Sequence, residues 1–186
     1  MINEQQFIYS AKFLGCPVAS VKAVAEVESR EGGFDPEGFP KTLFEGHWFY
    51  KLTKGKYSVS HPSLCYSKWT KQFYGKDWKA EKDRLAEAMA LDRTSAIMSA
   101  SWGMFQIMGF NYAQVGCRTP QEFITLMCKS EDSHLDLFTK FVKSNGLSDE
   151  LARQDWDGFA LRYNGVEYKK NDYAGKLARA FAKHNK

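Results

Sequence analysis

The chain has 186 residues, of which 44% are hydrophobic, 26% charged and 15% aromatic, with 14 Gly and 5 Pro. That length can bury a core without disulfide or metal staples, and that composition excludes disordered, collagenous and low-complexity classes, so one domain over residues 1–186 is expected. The formal net charge of +4 is uneven, because residues 1–165 hold 20 basic and 20 acidic side chains whereas residues 166–186 hold six and two. A second basic stretch, residues 41–82, has nine Lys against three acids and is interleaved with aromatics such as Trp48, Tyr57, Trp69 and Trp78. Both stretches favour an anionic partner.

Met1-Ile2-Asn3-Glu4 carries an acid and no basic residue before the first apolar stretch, which does not read as a secretory signal. Phe7, Ile8, Ala11 and Leu14 predict a first short helix. Val21, Val24, Ala25 and Glu28 predict a second, with Ser20 as its N-cap. Gly32-Gly33-Phe34-Asp35-Pro36-Glu37-Gly38 reads as turns around a small hairpin ending near Phe44. Asp77 is placed to cap a helix running to about Leu91.

Residues 94–117 are uncharged and long enough to span a bilayer, but their Ser, Gln, Asn and Gly content reads as buried core. Thr119-Pro120-Gln121-Glu122 combines a capping box with proline at the first helical position. Ser130 opens a helix with Leu135, Phe138 and Val142 on one face and Asn145-Gly146 as its stop. Ser148 opens the next, carrying Trp156, Phe159, Ala160 and Tyr163 at helical spacing. Tyr173, Leu177 and Phe181 form the apolar stripe of a basic C-terminal helix, which either closes the domain by packing or touches anionic membrane or lipopolysaccharide. The fold class is therefore mostly α, with a small β hairpin. Cys16, Cys65, Cys117 and Cys128 match no metal or redox spacing and are expected as reduced, packed thiols.

Helical spacing puts Glu28 on the face of Val21, Val24 and Ala25, while Glu26 follows Lys22 by four residues on another face. A carboxyl buried against apolar side chains keeps its proton to higher pH, as a general acid near neutrality requires. The alternative is that Glu28 ends its helix or pairs with Arg30. Gln106 reads as a buried amide and Tyr163-Asn164-Gly165 as the end of an apolar helix face, each with a purely structural alternative.

Ala25-Glu26-Val27-Glu28-Ser29, then Ser101-Trp102-Gly103-Met104-Phe105-Gln106, then Tyr163-Asn164-Gly165, resemble in order the Glu-Ser, Gly-Leu-Phe-Gln and Tyr-Asn-Gly landmarks of the lysozyme-like superfamily of goose-type lysozymes and lytic transglycosylases. Met104 replaces the usual Leu, a volume-conserving change. Lys41-Thr42-Leu43-Phe44-Glu45-Gly46-His47, residues 99–103 and Asp155-Trp156 are similar more narrowly to the N-acetylmuramidase family of bacteriophage endolysins. The resemblance implies an α+β lysozyme-like domain with its hairpin beside the active-site cleft and no separate wall-binding module. It implies cleavage of the β-1,4 bond between N-acetylmuramic acid and N-acetylglucosamine in peptidoglycan, with Glu28 as acid, Ser29 supporting its helix end, and Ser101, Gln106, Tyr163 and Asn164 binding substrate.

Glycosidases usually use a second carboxylate. Glu45 is preferred over Asp35, because Leu43, Phe44 and Gly46 flank it in a way that suits a partly buried acid, although a helix-start acid favoured by the dipole looks the same. Aromatics of residues 41–82, Trp48 and Trp102 among the candidates, would then pack on sugar faces, in place of a nucleic-acid role. No metal, no cofactor and no nucleic acid are expected, since none of the ligand or phosphate-loop spacings occurs. A monomer is expected, and the resemblance implies that it is held in the bacterial host cytoplasm until a holin releases it to the wall. The alternatives are a lytic transglycosylase using the same acid and a non-enzymatic wall- or membrane-binding protein.

Overall fold

The computed structural model describes residues 1–28, 32–165, 169 and 171–186. Its helices are α1 (Glu4–Leu14), α2 (Val18–Glu28), α3 (Gly46–Thr53), α4 (Trp78–Leu91), α5 (Arg93–Met98), α6 (Pro120–Met127), α7 (Glu131–Ser144), α8 (Ser148–Arg153), α9 (Trp156–Asn164) and α10 (Tyr173–His184). The strands are β1 (Thr42–Phe44), β2 (Ala100–Trp102) and β3 (Ile107–Met108), and a 3₁₀ turn covers Gly109–Asn111. Two compact units emerge: one joins Met1–Gly32 to Glu131–Lys186, and the other is the continuous segment Gly33–Ser130.

In the first unit, Asn3 caps α1 by accepting from the Gln6 backbone N–H, and its amide donates to Asp132 on α7 at 2.6 Å, so the N-terminus is pinned to that helix. Gly15, at φ 71°, ends α1 by donating its N–H to the Ala11 and Lys12 carbonyls. Helix α2 then starts at Val18, ahead of the expected Ser20 cap. Ser20 lies inside the helix, fully buried, and its hydroxyl donates to the Leu151 carbonyl of α8 at 3.0 Å. Ser20 thus satisfies a tertiary acceptor, because its hydroxyl faces α8 and not the free N–H groups of its own first turn.

The segment read as one helix from Ser148 is two. Gln154 adopts φ 56°, which breaks α8, and Asp155 starts α9 by accepting from the Gly158 N–H at 2.9 Å. Ser148 is the first residue of α8, preceded by Leu147 at the cap position. Leu135, Phe138, Val142, Phe159 and Leu177 are buried, and α10 packs along α2.

In the second unit, β1, β2 and β3 form an antiparallel sheet in that order, with Leu43 opposite Ser101 and Trp102 opposite Ile107. The expected hairpin of residues 32–44 reduces to a turn closed by a single Phe34–Pro40 bridge. Asp35 holds that turn, accepting from the Glu37 and Phe39 N–H groups at 2.9 and 2.8 Å. Strand β1 pairs instead with the uncharged stretch, whose Ile97, Ala100, Trp102, Phe105 and Ile107 are buried as expected. Trp102 is fully buried and donates its indole N–H to the Ile97 carbonyl at 2.9 Å, so it is a core residue with no face for a sugar. A Cβ at Gly109 would meet the Ile97 carbonyl oxygen at 2.0 Å, which explains glycine there.

Asp77 caps α4 and Thr119 caps α6, with Pro120 opening the helix. The Glu122 carboxylate of this capping box turns one residue further back, accepting from the Arg118 N–H at 2.7 Å. All four cysteines are free thiols; Cys65 and Cys117 are buried, Cys16 is half-buried, and Cys128 is exposed at the end of α6, a departure from the packed thiols expected. No single described helix is long and apolar enough to cross a membrane.

Candidate active site

Glu28 is the last residue of α2 and is mostly shielded by the first unit. Burial, the dominant cause, raises its pKa above the ordinary 4.5, and a hydrogen bond from Tyr173 works in the opposite direction. Tyr173 stands in the first turn of α10, and its hydroxyl donates to Glu28 Oε1. The Asn164 side chain at the end of α9 hydrogen-bonds Tyr173 in turn. Burial and the adjacent Glu28 carboxylate push the Tyr173 phenol far above its usual range, so it is a donor at any physiological pH.

Tyr163 belongs to the same group. Its ring stacks on Phe159 at 5.4 Å and meets Phe138 and Phe141 edge-on at 5.7 and 6.2 Å. Burial first, and the Glu28 charge second, hold its phenol protonated. Thus α2, α9 and α10 bring Glu28, Tyr163, Asn164 and Tyr173 together, with Asn164 and its neighbour Gly165 at the exposed helix end. Ser29 lies outside the described residues. Sequence reasoning placed Tyr173 on a packing stripe and missed its contact with the acid; its only signal was a phenol heading an otherwise apolar face.

In the second unit the small sheet organises the other candidates. Glu45 follows β1 directly, and its N–H donates to the Ser99 carbonyl at 3.0 Å. Its side chain is 14% exposed. Oε1 accepts from the Tyr74 hydroxyl at 2.8 Å, and Oε2 lies 3.3 Å from His47 Nδ1. Glu45 stands at the N-cap position of α3 but makes no side-chain cap bond, so its carboxylate is directed to Tyr74 and His47. Burial, followed by the hydrogen bond to Glu45, raises the Tyr74 phenol. His47 was within the motif quoted for the resemblance; Tyr74 carried no signal of its own.

Ser101 on β2 is buried and donates to Gln106 Oε1 at 2.8 Å. Gln106 is exposed, unlike the buried amide expected, and sits at φ 47° in the β2–β3 turn. Its amide nitrogen donates to the Gly103 carbonyl at 2.9 Å and approaches the Lys41 carbonyl at 3.4 Å. The left-handed backbone turns Gln106 out of the core, while Ser101 fixes its orientation from below.

The aromatics of residues 41–82 divide. Phe44 and Phe49 are core, Trp69 and Trp78 are exposed, and Trp48 packs on Phe110 at 4.5 Å with Lys51 over its ring at 4.5 Å. Among the described residues no three His, Cys, Asp or Glu side chains converge as a metal site.

A carboxyl whose pKa is raised by burial stands at a helix end, in a mainly helical chain with a short antiparallel sheet, the architecture of the lysozyme-like fold class. The comparisons agree with it. The family model for N-acetylmuramidases matches residues 17–185, and the chain belongs to the N-acetylmuramidase family. The crystal structure of the Burkholderia AP3 phage endolysin superposes with a TM-score of 0.91 at 35% sequence identity, covering 99% of this chain and 71% of that one. No curated protein matches the chain significantly. The protein is therefore a peptidoglycan-degrading muramidase with an endolysin-like fold.

Proposed function

We propose that the protein cleaves the β-1,4 bond between N-acetylmuramic acid and N-acetylglucosamine, with Glu28 as general acid. The observation that carries this reading is the raised pKa of Glu28, caused by burial, in a chain of the muramidase family. The protonated carboxyl gives its proton to the glycosidic oxygen, the bonding electrons leave with that oxygen, and the sugar carbon takes the hydroxyl of a water molecule whose remaining proton passes to a carboxylate of the site. Tyr163 and Asn164 beside the acid, and Gln106 held by Ser101, are the groups assigned to substrate. Glu45 is assigned as the second carboxylate, with Tyr74 fixing its orientation and His47 Nδ1 3.3 Å from its other oxygen.

The test is clearance of purified peptidoglycan by Glu28→Gln and Glu45→Gln, with product masses recorded and folding checked by circular dichroism. General acid catalysis is worth about 10²- to 10⁴-fold, and Glu28→Gln loses activity on that scale. Products of the wild type carry the mass of one added water. A folded Glu28→Gln that clears the wall like wild type removes Glu28 from the role, and anhydro products replace hydrolysis with transglycosylation.

A further inference from the structure

The acid lies under the N-terminal end of α10, and the contact there is specific. Tyr173 donates to Glu28 Oε1, and its own oxygen takes up the Asn164 side chain, so the hydroxyl is used in both directions. A protonated carboxyl accepts through one oxygen and carries its proton on the other. We propose that Tyr173 is a positioning residue for the acid, committing Oε1 as acceptor so that the transferable proton resides on Oε2. This rests on Glu28 being the acid.

The same bond has a second consequence. When Glu28 gives up its proton, the hydroxyl faces a carboxylate, and a hydrogen bond to an ionised acceptor is about twice as strong as one to a neutral acceptor. The interaction therefore strengthens as charge develops, which is the requirement for lowering a barrier. The Asn164 contact keeps the phenol turned to the carboxyl.

Among the described residues, the titratable groups that face Glu28 are the phenols of Tyr163 from α9 and Tyr173 from α10. Several charged side chains on the helices packed against α2 pair elsewhere: Glu4 of α1 with Lys22, Asp149 and Glu150 of α8 with Arg153 and Arg162, and Lys183 and His184 of α10 with Glu26, while Lys176 of α10 acts on Asp172. Arg179 of α10 pairs with Asp172.

The experiment compares wild type and Tyr173→Phe in two readouts. The Glu28 carboxyl is titrated by ¹³C NMR without substrate, and the pH dependence of kcat/KM is measured on soluble peptidoglycan fragments. Loss of the donor raises the Glu28 midpoint by about one pH unit and moves the alkaline limb of kcat/KM upward with it. The plateau of kcat falls about tenfold, and KM stays within about twofold, because the lost interaction is strongest in the transition state.

A Glu28 midpoint and an alkaline limb that both stay in place overturn the proposal. A midpoint that moves while the limb does not shows that Glu28 is not the acid, and then the reading of the site and the proposal fall together. If Tyr173→Phe does not fold, Asn164→Ala serves, since it weakens the same donor and leaves α10 intact. It displaces the Glu28 midpoint in the same direction by less, and no displacement overturns the assignment.

Discussion

Glu28 is held where its proton is favoured, so its ionisation opposes folding. Because burial raises its pKa in the folded state above the ordinary 4.5, the folded protein binds more protons than the unfolded chain between those two values. Stability from this side chain is complete below about pH 4.5 and is lost as pH rises toward the folded value. Glu28→Gln retains an acceptor for Tyr173 and cannot ionise. It is expected to be more stable than wild type at neutral pH, with the gap closing as pH falls to about 4.5. Urea titrations of both proteins at pH 4 and pH 7 check this; a constant gap, or a less stable variant at pH 7, contradicts it. The position of Glu28 on the apolar face of α2 was legible from spacing, because one helix sets its own periodicity. The Tyr173 contact was not, since Tyr173 stands on a distant helix and nothing in a sequence announces which face of α10 meets which end of α2.

At the scale of elements, legibility followed the range of the forces involved. Asp77 and Thr119 were readable as caps because a cap bond closes within one helical turn. The break between α8 and α9 was missed because the apolar spacing runs on through it, although Asp155 already carried the residue type of an N-cap. A small β element was expected, but its pairing was not legible for the opposite reason: β1 pairs with residues far along the chain, and strands of two or three residues are too short to show alternation. Two substitutions measure the elements. Asp155→Ala removes the cap accepting from Gly158 and is expected to cost about 1 kcal/mol. Leu177→Ala empties a fully buried site on α10 and is expected to cost about 2–5 kcal/mol. Chemical denaturation ranks them, and the reverse order would mean that α10 is held by its surface pairs. That outcome is disfavoured by the exposure of those pairs: Lys183 and Glu26 are 65% and 41% exposed, and such pairs are worth about 0–1 kcal/mol.

At the scale of the molecule, the mostly helical class and its aromatic core follow from composition and periodicity, whereas the division into two units does not. A sequence read as one domain showed no linker, because the unit Gly33–Ser130 is a continuous segment and the other unit is assembled from both ends of the chain. The two therefore differ in what they need in order to fold. Segment 33–130 holds the β1–β2–β3 sheet, the buried Phe44, Phe49, Leu85, Ile97, Trp102 and Phe123, and the Arg84–Glu81 ion pair at 2.6 Å. A segment of about 100 residues is large enough for an independent core. Expressed alone, 33–130 is expected to unfold cooperatively with dispersed amide resonances, whereas residues 131–186 alone lack α1 and α2, against which α7 and α10 pack, and are expected to remain largely unfolded. Mixing 1–32 with 131–186 should then recover helical circular dichroism that neither peptide has by itself. If 33–130 is unfolded, its core depends on the rest of the chain, and the units are a feature of topology alone, without separate stability.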